Sequence, residues 1–156
     1  MSHGIDPKLF GLVDIYAKKL QGAKSGEPVG DDDILFFCQN LFVQFFQFEV
    51  KSEITGFDGK SKTRAVQRLT ELEGKSDPAV LTMIAKYIEL ANDWDKIKGT
   101  AYGKSTEFWN DFHCSVLPDL LAATEKYAVA VGDKKLQAAI GKAGNAYREA
   151  TKALCP

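Results

Sequence analysis

Arginine is scarce in this chain: only Arg64, Arg68 and Arg148 interrupt a basic complement otherwise made of lysine. Its planar fork is the group suited to bidentate phosphate recognition, so a nucleic-acid surface would hold more of it. The formal net charge of −1 also removes any whole-molecule field toward DNA, anionic membrane or acidic substrates. Nucleic acid is therefore disfavoured as a partner. Histidine occurs only as His3 and His113, too few for an imidazole-based metal site, and no metal or cofactor is expected. No apolar run approaches the roughly 20 residues that span a membrane, so no transmembrane segment is expected. The N-terminal residues lack the apolar core of a secretory signal.

Cysteine is sparse too. Cys38, Cys114 and Cys155 stand far apart with no C-x-x-C pair. An odd, unclustered set argues against a disulfide framework. The expectation is buried free thiols in a reducing, cytoplasmic compartment, with one bridge plus one free thiol as the alternative. A secreted mature form without its leader would look the same, although no Asn-x-Ser/Thr sequon supports it.

What is present is helix. The length of 156 residues, with 45% hydrophobic and 26% charged residues, suits one globular domain spanning 1–156. Asp6-Pro7 reads as an N-cap followed by proline in the first turn, and Leu9, Leu12, Val13, Tyr16 and Leu20 follow at helical spacing until Gly22. A loop over 23–30 precedes Asp31, Asp32 and Asp33, three carboxylates suited to the positive end of a helix. The run 34–48 then carries six phenylalanines on more than one side, as a central helix with neighbours around most of its circumference would. A third helix is expected over 61–73 with Val66, Leu69 and Leu72 inward. A fourth starts at Asp77-Pro78 and buries Val80, Leu81, Ile84, Ile88, Ala91 and Ile97 before a break at 99–103. Phe108, Trp109, Phe112 and Val116 give another helix, which Pro118 kinks or restarts and which runs on to Gly132. Behind the Asp133 cap, Leu136, Ile140, Ala143, Tyr147, Ala150 and Leu154 form a heptad-like seam against one neighbour. The fold class is all-α: a single compact bundle or array of about six to seven helices around the Phe-rich one.

Motifs of chemistry are few. His113 and Cys114 are adjacent, but neighbours on a helix point about 100° apart and cannot face each other as a catalytic pair. The Gly-Lys-Ser of 59–61 lacks the earlier glycine of a phosphate-binding loop at the required spacing, and no strand precedes it. Lys60, Lys62 and Arg64 near that helix start are the candidate anion ligands. Glu107, Asp93, Asp95 and Asp111 read as solvated structural acids, and no catalytic residue is assigned.

The aromatic helix is the most specific feature. As core it fills space efficiently. As a cavity wall it would combine Phe37, Leu41, Phe45 and Phe48 with the amides Asn40, Gln44 and Gln47, joined by Trp109, Phe112 and His113. These ten are the candidate ligand-binding residues. The leading functional expectation is a non-enzymatic helical binding protein acting through a protein–protein surface, either with another protein or by self-association. The alternative is a carrier of an apolar small molecule such as a lipid or pigment, and a small enzyme or haem-type protein comes third.

Overall fold

The computed structural model describes residues 4–22, 32–52, 54–98 and 106–155, with 96–98 and 106 described by backbone only. The fold is all-α, and no strand occurs among these residues. A short 3-10 turn, Pro7–Phe10, leads into α1 (Gly11–Gly22). Then come α2 (Asp32–Phe45), α3 (Gly59–Leu72), α4 (Pro78–Lys98), α5 (Thr106–Asp111), α6 (Leu117–Val131) and α7 (Lys134–Thr151). Two π turns, Phe46–Val50 and Phe112–Val116, extend α2 and weld α5 to α6, so seven segments make six rods. The expected loop at 23–30, the break at 99–103 and the side chain of Ile97 lie outside the described residues.

The helix starts follow from their caps. The carboxylate of Asp6 accepts from the N–H of Lys8, that of Asp58 from Ser61, and that of Asp133 from Leu136. Each satisfies an N–H that the helix itself leaves unpaired. Pro118 lacks an N–H and falls in the first turn of α6, where the π turn just before it absorbs the change without breaking the rod.

α1 packs on α2 and α7, α6 packs on α4 and α7, and α3 lies against α4. α2 is buried along Ile34, Phe37, Cys38, Leu41, Phe42 and Phe45, with Phe46 and Val50 of its π turn. Phe37 meets Phe10 edge to face at 5.3 Å, Phe42 meets Tyr87 of α4 at 5.4 Å, and Phe45 meets Tyr127 of α6 at 5.2 Å. Four buried tyrosine hydroxyls are all used. Tyr16 bonds His113, Tyr87 donates to the carbonyl of Gly56, Tyr127 to Glu49, and Tyr147 to the carbonyl of His113. Burial pushes the pKa of Tyr87 up to about 12 and raises those of Tyr127 and Tyr147, so these hydroxyls remain donors at neutral pH.

Three expectations need correction. Val66 does not face inward; it is 44% exposed, and α3 buries Ser61 and Ala65 while Leu69 and Leu72 are half-buried. Among the described helices α3 packs mainly on α4, so its narrow contact face admits small residues first. α2 is not enclosed around most of its circumference: Phe36 and Phe48 are 58% and 53% exposed. α7 seats Leu136, Ile140, Ala143, Tyr147 and Ala150 against two neighbours, α1 and α6, rather than one.

Replacing Phe42 or Phe45 by alanine should lower the unfolding free energy by about 3–5 kcal/mol, since both rings are fully buried. Chemical denaturation checks this. A loss below about 1 kcal/mol would mean that the ring borders space already present.

Candidate functional site

A buried face and an amide face divide α2. At about 100° per residue, the buried set centres roughly 120° around the helix from Asn40, Gln44 and Gln47. The amides therefore look outward. Asn40 Nδ2 donates to the Phe36 carbonyl at 3.0 Å, Gln44 Oε1 accepts the Asp6 N–H at 2.8 Å, and Gln47 is exposed. Phe37, Leu41, Phe45, Trp109, Phe112 and His113 are buried, whereas Phe48 lies on the surface beneath Gly4. Gly4 has φ +71° and sits so close that a Cβ there would fall 2.0 Å from the Phe48 ring, which restricts the position to glycine. The ten candidate ligand-binding residues thus separate into core and surface. None of them lines any of the grooves described below.

His113 stands in a small polar island within the core. Its Nε2 is 2.5 Å from the Tyr16 hydroxyl, and its carbonyl accepts the Tyr147 hydroxyl at 2.9 Å. Trp109 stacks obliquely on it at 5.8 Å, and the Trp109 indole N–H is buried without a hydrogen-bond partner. The neighbouring Cys114 points elsewhere, as the helical geometry requires. It is bonded to Cys155, with Cα atoms 5.6 Å apart, which ties the segment beyond α7 to the second π turn. The expectation of three free thiols is therefore corrected. Sequence separation of 41 residues conceals a spatial contact that exists only because α6 and α7 fold back as a hairpin. Cys38 alone is free; burial pushes its thiol up to about 12. No cluster of three or more His, Cys, Asp or Glu among the described residues is arranged to hold a metal ion.

The surface carries three distinct features. Between α4 and the α5–α6 rod runs an acidic groove lined by Glu89, Asp93, Asp111 and Asp119, with Lys86 3.1 Å from Glu89 and 3.8 Å from Asp119. At the start of α3 lies a basic groove of about 820 Å³, lined by Lys51, Lys60 and Arg64 with Thr55, Asp58, Ser61, Thr63 and Gln67. Lys60 and Arg64 of the expected anion ligands meet there, whereas Lys62 turns away and donates to Asn92 at 3.0 Å. Lys51 was not foreseen. It comes from the end of the first π turn, where a positive φ of 56° reverses the chain and no sequence spacing shows its position.

The third feature is the α1/α2 seam. Lys19 pairs with Asp33 across it at 2.8 Å. Ile15 lies four residues before Lys19, and Phe36 lies three after Asp33, so both border the same seam one turn from the ion pair. Ile15 is 47% exposed, and Phe36 is still more exposed.

No protein-family model matches the chain, and comparisons with curated proteins and with solved structures return no match.

The disulfide sets a testable ledger of its own. Replacing Cys155 by serine should cost about 4 kcal/mol of stability, the loop-closure value for some 40 residues, measured by denaturation against the oxidised wild type. The oxidised, folded chain should also leave Cys38 unreacted by a thiol reagent at pH 8 until denaturant is added. Rapid labelling in the native state would show that Cys38 is accessible.

Proposed function

We propose that this chain is a non-enzymatic helical binding module that receives the apolar face of a partner protein on the α1/α2 seam. The observation that carries the reading is that Phe36 and Ile15, two large exposed apolar side chains, stand on adjacent helices, each one turn from the Lys19–Asp33 pair that bridges them. Covering both would contribute roughly 2 kcal/mol. The Lys19–Asp33 pair at one end supplies a polar rim that orients the contact. A seam between two helices is the surface on which a partner helix lays its own apolar stripe. A carrier of an apolar ligand would instead need space beside Phe37, Leu41 and Phe45, and those side chains are fully buried, with Phe37 and Phe45 packed against neighbouring rings.

Composition alone favours the cytoplasm. The Cys114–Cys155 bond weighs the other way, because such bonds persist in oxidising compartments. No helix among the described residues is long and apolar enough to cross a membrane.

A photoreactive phenylalanine analogue at position 36, expressed in the native host, tests the proposal. It should give one adduct of discrete mass, lost when Ile15→Glu is added, with none from the same analogue at Val129. Position 129 is also exposed but stands on another face. An adduct at twice the chain mass would identify the partner as a second copy. No adduct at 36, or equal adducts at 36 and 129, would overturn the reading.

A further inference from the structure

The basic groove does not owe its charge to the helix start beside it. One free N–H of the first turn of α3 is already used, since Asp58 accepts from Ser61 N at 2.7 Å, and the same carboxylate also accepts from Ser61 Oγ at 3.3 Å. Those bonds, the one from Ser61 N foremost, hold the Asp58 carboxyl below the usual carboxylate range. It therefore stays ionised and occupies the place an anion would take on the helix axis. What remains is a set of side chains reaching in from two elements, Lys51 from the end of the π turn and Lys60 and Arg64 from α3.

Three properties distinguish this set from an ordinary solvated basic face. First, no carboxylate among the described residues pairs with Lys51, Lys60 or Arg64. Elsewhere on the surface lysines and arginines do find acids, as in Lys19–Asp33, Arg68–Glu71, Lys86–Glu89 and Lys152–Glu149. Second, Arg64 is held at its inner nitrogen: Nε donates to the hydroxyl of buried Ser52 at 3.1 Å. That bond fixes the plane of the guanidinium and leaves its two outer nitrogens for a second acceptor, the preorganised fork that matches a tetrahedral oxyanion. Third, the hydroxyl-bearing Thr55 and the amide-bearing Gln67 line the same groove, so neutral donors stand beside the charges, while the Thr63 hydroxyl, also in the lining, donates to the Gly59 carbonyl at 2.9 Å. Among the described residues, three cations against the single carboxylate of Asp58 leave a local excess of two positive charges, the complement of a doubly charged anion.

We propose that the groove formed by Lys51, Lys60 and Arg64 binds a phosphate-bearing ligand, either a free phosphate compound or the headgroup of a lipid. Arg64 grips the phosphoryl oxygens with its outer nitrogens, while Lys51 and Lys60 neutralise the charge from the flanks. The volume of about 820 Å³ admits more than a bare phosphate, so the rest of the ligand lies along the threonines and Gln67.

Calorimetric titration with inorganic pyrophosphate at low salt tests this, alongside co-sedimentation with phosphatidylcholine vesicles containing or lacking phosphatidic acid. Binding should saturate at one site per chain. Arg64→Gln should weaken it by about tenfold or more, the loss expected for a charge-assisted hydrogen-bonding group. Lys60→Gln and Lys51→Gln should each weaken it several-fold, while Lys62→Gln, outside the groove, should change it by less than about twofold. Arg64→Lys keeps the charge without the fork and should recover only part of the loss. Thermal melts of each variant separate loss of binding from loss of fold. Binding of pyrophosphate without vesicles points to a soluble phosphate compound, and selective binding to phosphatidic acid vesicles points to a headgroup; both support the proposal. Absence of saturable binding to either probe overturns it. So does an equal loss in Lys62→Gln and Arg64→Gln, which would reduce the groove to diffuse surface charge.

Discussion

Three aromatic rings converge on Tyr87, and much of the molecule hangs on that meeting. Phe42 and Phe46 approach it edge-on at 5.4 and 5.0 Å, and Phe57 stacks on it at 5.1 Å, with Trp94 stacked in turn on Phe57 at 4.4 Å. The Tyr87 hydroxyl then takes the carbonyl of Gly56. One side chain of α4 thereby fixes α2, its π turn and the connection to α3. Aromatic pairs in these arrangements contribute beyond their buried area, and each ring also removes a large apolar surface from water. Because Phe57 is anchored, Asp58 falls where it caps α3, and Lys60 and Arg64 are delivered to the side on which Lys51 emerges. The basic groove on the surface is therefore set by rings in the interior.

The same packing decides where function can reside. With Phe37, Phe42, Phe45 and Phe46 all buried and in contact with other rings, the Phe-rich run spends four of its six rings on the fold and leaves Phe36 and Phe48 outside. Recognition is left to the outside, and the outside is not uniform. The α1/α2 seam offers exposed apolar side chains with an ion pair at one end, whereas the basic groove offers cations that no carboxylate among the described residues pairs with, one arginine already oriented. Their chemistries differ enough that the two proposed ligands, a protein and an anion, would not compete for one surface. The buried His113 belongs to neither surface; through Tyr16 and Tyr147 it joins α1 and α7 to the π turn that the disulfide also grips.

Much of the architecture is legible in the residues themselves. The Asp-Pro starts, the Asp133 cap, the buried stripe of α7 and the all-α class follow from caps and periodicity, because these are local properties. Position 66 misleads because periodicity gives a helix its apolar side without telling how wide a neighbour will cover it. The amides of α2 were legible and are instructive: 40, 44 and 47 share a face centred roughly 120° from the middle of the buried set, although Gln44 lies within about 20° of Phe37 on the wheel. Lys51 and the Cys114–Cys155 bond were not legible at all. One depends on a backbone reversal at the end of a π turn, the other on a hairpin closing over 41 residues, and both are products of tertiary structure.

The central claim is that the aromatic interior is full and recognition happens at the surface. Native mass spectrometry of the chain purified from its host without lipid-stripping tests that claim most directly. The account predicts the mass of the bare polypeptide, lighter by two hydrogens for the single disulfide. A stoichiometric apolar adduct that survives gentle ionisation and departs only on unfolding would contradict it.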